Sequence, residues 1–177
     1  MHVSVRRGIQ LIVAVWLALG GTAAFAHDIY SSWAEAKLLG DRLEISLTLA
    51  RSCAHSFLPD FAQQPPITPE NFAAIQPRLR QLAPQLFELT INGKPLPLKS
   101  ADVKIGGDVD VTFTLIYPRP ATGTLRFFAV FLGHLVDGHT LTLAVSDAAG
   151  NDLGWSPLTL DRARFQVRVT AAPTAKP

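Results

Sequence analysis

The 177-residue chain contains a single cysteine, Cys53. This excludes an intrachain disulfide, a paired Cys-x-x-Cys redox or metal site, and any fold that depends on disulfide staples. A lone thiol in an oxidising compartment is left with pairing between chains, metal binding, or the fate of a small buried hydrophobe, and the last is the expected one. Cys53 is also far from the point where a leader would be cut, which argues against a lipoprotein. Long apolar runs are scarce. Beyond the first 26 residues nothing approaches the roughly 20 apolar residues of a membrane-spanning helix, so the processed chain is not expected to span a membrane. Common catalytic signatures are missing as well: there is no nucleophile elbow, phosphate-cradling glycine loop or His-Glu-x-x-His. Gly106-Gly107-Asp108 and Ala149-Gly150-Asn151 read as hairpin turns. The expectation is a protein that is not an enzyme.

What is present begins with a leader. Arg6 and Arg7, the apolar run from Ile9 to Leu19, and small residues closing on Ala24-Phe25-Ala26 form the three-part pattern of an export signal. Residues 1–26 are therefore predicted to be removed by cleavage between Ala26 and His27, with the mature protein periplasmic or secreted. Gly8-Ile9-Gln10 fits twin-arginine export poorly, so secretion of the unfolded chain is expected and any metal would be acquired afterwards. Cleavage removes two of the 16 basic residues and none of the 14 acids. The mature charge is then near zero, which gives no case for a nucleic-acid partner. The remainder suits one domain with a proper core.

Along that domain, Ile29 to Leu39 reads as a first strand, turned by Gly40-Asp41 into Arg42 to Ala50. There Leu43, Ile45, Leu47 and Leu49 alternate with polar residues, the period-two pattern of a half-buried strand. Residues 51–84 break the alternation with six prolines and read as a helical and loop insertion acting as a flap. Thr68-Pro69-Glu70 is a helix start. Phe72, Ile75, Leu79 and Leu82 follow at helical spacing, and Pro77 is expected to break or kink that helix. Strands resume at Leu86 to Ile91, then a tight turn at Asn92-Gly93 and a weak return over Lys94 to Leu98. Next come Val103 to Ile105, Val109 to Tyr117 with Val109, Val111, Phe113 and Leu115 facing in, and an apolar run Thr124 to Leu132. That run suits a central strand lying under the insertion helix. Gly133 to His139 is a loop, Leu141, Leu143 and Val145 alternate again, and Leu153 to Leu160 and Arg164 to Thr170 complete the set. Residues 171–177 are expected to be a frayed tail. Eight or nine short strands with regular turn signals predict an immunoglobulin-like antiparallel β-sandwich with a short helical insertion.

Candidate chemistry centres on histidine. A mature chain starting at His27 would carry an α-amine and an imidazole on one residue, a pair able to chelate a transition metal through two nitrogens. A further imidazole would come from His139, His134 or His55, since neutral imidazole suits Cu, Ni or Zn. Asp28 is placed to support such a site, and Cys53-Ala54-His55 is a second grouping whose thiolate would favour Cu(I). The plainer alternative is that cleavage before a histidine is incidental and the loop histidines are solvated. Trp33 and Trp155 offer surfaces for a carbohydrate or a partner, although core packing is the usual place for a large aromatic in a sandwich.

Several stretches together resemble the extracytoplasmic domain of HupE/UreJ-type proteins. They are Ala26-His27-Asp28-Ile29, Ile91-Asn92-Gly93-Lys94-Pro95-Leu96, Tyr117-Pro118-Arg119-Pro120, and Phe131-Leu132 through Gly138-His139 to Ser146-Asp147-Ala148-Ala149-Gly150. The resemblance implies an accessory role linked to hydrogenase or urease and to nickel. Members of that family continue into a membrane-embedded part, whereas this sequence stops at Pro177, so transport is not carried over. The histidine start is also similar to that of CopC-type copper-binding sandwiches and copper-dependent polysaccharide monooxygenases. The resulting expectation is an exported, non-catalytic carrier or sensor of Cu or Ni. A structural module docking on a membrane-protein partner is the alternative, and a copper oxidase-type enzyme is a remote third.

Overall fold

A computed structural model describes residues 30–107 and 109–170 of the chain. The expected leader, His27, Asp28, Asp108 and the tail at 171–177 lie outside the described residues. Two sheets face each other across one core. The six-stranded sheet has the order β5-β6-β2-β1-β8-β9 and the four-stranded sheet the order β10-β7-β3-β4. The strands are β1 (Ser31–Leu38), β2 (Arg42–Ala50), β3 (Phe87–Ile91), β4 (Lys94–Pro95), β5 (Ser100–Gly106), β6 (Asp110–Pro118), β7 (Gly123–Ala129), β8 (Thr140–Asp147), β9 (Asp152–Leu158) and β10 (Arg164–Val169). This is an all-β sandwich with a small helical insertion.

Period-two alternation accounts for most of the core. Leu43, Ile45, Leu47 and Leu49 of β2, Val111, Phe113 and Leu115 of β6, and Leu141, Leu143 and Val145 of β8 are all buried. Between β2 and β8 lies β1, whose inward residues Ala34 and Ala36 are small and fully buried. Ala34 is in register with Leu47 on one side and Leu143 on the other, so large and small side chains alternate across the sheet and fill it without overpacking. The first two strands form the expected antiparallel hairpin. The pairing of β1 with β8 is parallel, however, so the larger sheet is mixed.

Val109 departs from expectation. It is exposed in the turn before β6, and the inward set of that strand begins at Val111. The set ends at Tyr117, which is buried with a hydroxyl that has no hydrogen-bond partner among the described residues. Burial pushes the Tyr117 phenol above its ordinary range. The folded chain thus keeps Tyr117 neutral, while the unfolded chain ionises it near pH 10. Its contribution to stability is complete below that pH and is lost as pH rises beyond it. Tyr117→Phe is expected to leave the protein as stable at pH 7, or up to about 1 kcal/mol more stable, because an unpaired hydroxyl is removed. It should also flatten the alkaline loss. Urea midpoints at pH 7 and pH 11 test both; a clear destabilisation at pH 7 would show that the hydroxyl has a partner.

The insertion contains α1 (Arg51–Ser56) and α2 (Pro69–Leu82). Thr68 caps α2: its hydroxyl accepts from the Asn71 amide at 3.4 Å, and the Asn71 side chain accepts from the Thr68 amide at 2.9 Å. Pro69 sits at the first helical position, where its missing N–H costs nothing. The expected break at Pro77 does not occur, and the helix continues through it to Leu82. Interior proline costs about 3 kcal/mol, but Phe72, Ile75 and Leu79 are buried on the core side. Two contacts to β5 add to this hold. Gln76 Nε2 donates to the Val103 carbonyl at 2.7 Å, and Arg80 pairs with Asp102 at 3.0 Å. The helix therefore covers β5, the edge strand of the larger sheet, an edge that would otherwise be open to another chain. The expectation that it covers β7 is not met. That strand is central in the smaller sheet, between β10 and β3, and its outward Phe128 carries the Arg164 guanidinium 5.0 Å from the ring centroid.

The two described tryptophans also depart from expectation. Trp33 is 46% and Trp155 62% exposed. Both occupy outward positions of the larger sheet, where alternation leaves no room in the core.

Candidate functional site

Strand register gathers the candidate ligands at one end of the sandwich. Ser31 at the start of β1 lies beside Thr140 at the start of β8, and Ala50 at the end of β2 lies opposite Asp110 at the start of β6. In the smaller sheet, Ala129 at the end of β7 is opposite Phe87 at the start of β3. The same end thus receives the start of β1, the α1 helix that follows β2, and the connection from β7 to β8. His55 is in α1, while His134 and His139 are in the β7–β8 connection. The ring contact between Phe57 and Phe131, with centroids 6.1 Å apart, ties the insertion to that connection.

The three imidazoles have different surroundings. His139 is 3% exposed, and its Nε2 lies 3.1 Å from the Ser32 hydroxyl on β1. The adjoining Thr140 amide donates to the Tyr30 carbonyl at 2.8 Å, so this histidine is fastened to the beginning of β1 on both sides. His55 is half-buried, edge-on to Phe61 with centroids 6.0 Å apart, and its buried Nε2 has no hydrogen-bond partner among the described residues. His134 is exposed at the end of a short turn of 3-10 helix over Val130–His134. It rims a hollow of about 40 Å³ together with Phe57, Leu82, Leu86 and Phe131. Among the described residues no three His, Cys, Asp or Glu side chains converge tightly enough to hold a metal ion. The three histidines share an end of the molecule without sharing a coordination sphere. His27 and Asp28 lie outside the described residues.

Cys53 is buried in α1, and burial pushes its thiol above the ordinary value, with a hydrogen bond to Ser52 opposing that shift. A thiol that resists ionisation is a poor metal ligand and a poor nucleophile, so the Cys53-Ala54-His55 grouping loses its thiolate argument. The expected role as a small buried hydrophobe is what the geometry supports.

One surface went unread in the sequence. The outward residues of β10, β7 and β3 form a cationic face. Arg164 is in register with Phe128 and Gln166 with Arg126, and Glu88 and Thr90 extend the two rows onto β3. They line a shallow basin of about 700 Å³. The Arg126 Nε donates to the Gln166 side-chain oxygen at 3.3 Å. Arg126, Arg162, Arg164 and Arg168 form no ion pair with a carboxylate among the described residues, unlike Arg42 and Arg80. A signal for this face did exist: the alternation of Arg164, Gln166 and Arg168 with buried neighbours. It marks the polar side of any strand equally well, so the cluster emerges only once β7 is set beside β10.

No protein-family model matches this chain, and no curated protein matches it either.

Proposed function

We propose that this chain is a non-catalytic, extracytoplasmic binding module whose cargo is a Cu or Ni ion, held at the end of the sandwich where β1 begins. The observation that carries the reading is the contact between His139 Nε2 and Ser32. Ser32 is five residues from His27, a stretch that can span at most about 18 Å, so that length bounds how far a mature amino terminus at His27 could lie from the Ser32–His139 contact. The Nε2 of His55 at the same end, which has no hydrogen-bond partner among the described residues, supports the reading too, because a buried nitrogen without a partner is costly unless something binds it. The α-amine and imidazole of His27 would supply two nitrogens of a chelate, with His139 or His55 as a third donor and His134 as an exposed alternative. Nitrogen donors of this kind suit Cu(II) and Ni(II). The resemblance to HupE/UreJ-type domains favours nickel, and the histidine start favours copper.

The test is intact-mass and metal analysis of the exported protein, followed by titration with Cu(II), Cu(I) and Ni(II). A mass beginning at His27 with one tightly bound ion per chain is the expected result. A chain beginning at His27 that binds none of the three would overturn the proposal.

A second reading rests on a separate observation, the uncompensated arginines of the four-stranded sheet. In this reading the module docks through that face on an acidic extracytoplasmic surface of a membrane-protein partner. Charge of this kind governs encounter rate and salt sensitivity more than final affinity. Both readings can hold together, since the arginine face and the β1 end use different residues.

A further inference from the structure

Trp33 and Trp155 point out of the same face of the six-stranded sheet. Trp33 on β1 is in register with Thr48 on β2 and Thr142 on β8. In the next outward row, two residues along, Glu35 stands beside Ala144, and Ala144 beside Trp155 on β9. The two indoles are thus separated by two strand spacings and one two-residue step, a Cα distance of about 12 Å. Among the described residues, the outward positions of β8 in the lane between them carry the short side chains of Thr142 and Ala144. Burying a tryptophan is strongly favourable, and two left exposed on one face mark a contact surface more than a packing failure.

The chemistry of the lane narrows the ligand. The Trp33 Nε1 donates to Glu35 Oε1 at 3.4 Å, which steadies the indole along its strand. The other carboxylate oxygen of Glu35 pairs with Lys37 at 3.2 Å, so the charge beside the lane is already matched. Hydroxyls of Thr48 and Thr142 flank it. The opposite sheet of the sandwich presents arginines that have no carboxylate partner among the described residues, so an acidic ligand is drawn there and an uncharged one is matched here. We propose that this face binds an extended, uncharged, β-linked glycan of the cellulose or chitin type, with sugar rings stacked on Trp33 and Trp155. The flat apolar faces of such rings suit exposed indoles, and their hydroxyls suit Thr142 between the indoles and Glu35 beside Trp33. The Cα separation of the two tryptophans, about 12 Å, is of the order of the repeat of an extended disaccharide. This site is independent of any metal at the β1 end.

The experiment is titration of the protein starting at His27 with chitohexaose and cellohexaose, followed by tryptophan fluorescence and calorimetry. Trp33 and Trp155 are the only tryptophans beyond residue 26, so the fluorescence reports this face alone. Binding of at least one saccharide is expected. Trp33→Ala and Trp155→Ala should each weaken it about three- to tenfold, the range of one aromatic contact, and the double variant should abolish it. All three variants should keep the unfolding midpoint of the parent. Failure of the parent to bind either saccharide would overturn the proposal, as would parent-like affinity in the double variant. A parent that dimerises through this face without binding saccharide, and that Trp155→Ala makes monomeric, would overturn it as well and assign the face to a second copy of the chain.

Discussion

Phe131→Ala is expected to destabilise the protein by about 3–5 kcal/mol, the usual cost of truncating a buried phenylalanine. Phe131 is completely buried and joins three parts of the molecule. Its ring meets Phe57 of the insertion at 6.1 Å and Phe87 at the start of β3 at 5.6 Å, both edge-on. Its amide donates to the Leu86 carbonyl at 3.3 Å. Removing the ring opens a cavity where the β7–β8 connection, the start of β3 and the insertion converge. A domain of this size has a total stability of about 5–15 kcal/mol, so a large part of it would be lost. Urea denaturation measures the change, and a loss under about 1 kcal/mol would contradict this description of the core. His134 is three residues away, so the variant should also loosen the hollow that it rims.

Gly123→Ala is the second large effect, expected at about 2–4 kcal/mol, and it arises from backbone and not from burial. Gly123 has φ +144°, a conformation that side chains rarely accept, and a Cβ there would lie 2.0–2.5 Å from the side-chain atoms of Asn92. Asn92 cannot simply swing aside. Its amide nitrogen donates to the Thr122 carbonyl at 3.1 Å, and its oxygen accepts from the Thr124 amide at 2.9 Å. Alanine would therefore add strain of roughly 1–3 kcal/mol and break two hydrogen bonds worth about 1 kcal/mol each, with partial relief by local movement. The effect should be confined to the β3–β4 turn and the start of β7. Hydrogen exchange checks this: faster exchange at Asn92 and Thr124 with an unchanged β2–β6 pair is the expected pattern. A stability equal to that of the parent would contradict it.

These two positions illustrate what the sequence could and could not disclose. The alternation in β2, β6, β8 and β10 reports a buried face directly, and Asn92-Gly93 reports a turn because both residues adopt positive φ there, 51° and 78°. Thr68-Pro69 likewise marks the start of α2. Strand direction leaves no trace in a period-two pattern, so the parallel partnership of β1 and β8 was invisible. So was the end of β7. Phe131 continues an apolar run that reads as strand, yet the chain turns into a 3-10 helix at Val130 and carries the ring into the core from outside the sheet. The return strand after Asn92-Gly93 shrinks to Lys94–Pro95 because Pro95 and Pro97 have no N–H to donate to a ladder. The persistence of α2 through Pro77 depends on contacts with β5, which follow it in the chain.

The candidate site was legible as residue types and not as a place. His55 is far in sequence from His134 and His139, and only strand register sets the three at one end beside the start of β1. Their burial was equally unreadable: His139 is enclosed against Ser32 while His134, five residues earlier, is exposed. For Trp33 and Trp155, a general preference for burying aromatics pointed the wrong way. The alternation of their own strands was the better guide: Trp33 falls in the outward row with Ser31 and Glu35, and Trp155 is outward two residues from the exposed Pro157.

The central claim is that a mature amino terminus at His27 contributes metal-binding nitrogens. The most direct measurement compares Cu(II) and Ni(II) affinity, by competition calorimetry, for the chain beginning at His27 and for the same chain with one glycine added before it. The extra residue turns the α-amine into an amide and leaves every described side chain in place. A loss of a hundredfold or more, about 2.7 kcal/mol, is the predicted result. Equal affinity for the two chains would contradict it and confine any metal to the side chains of the sandwich.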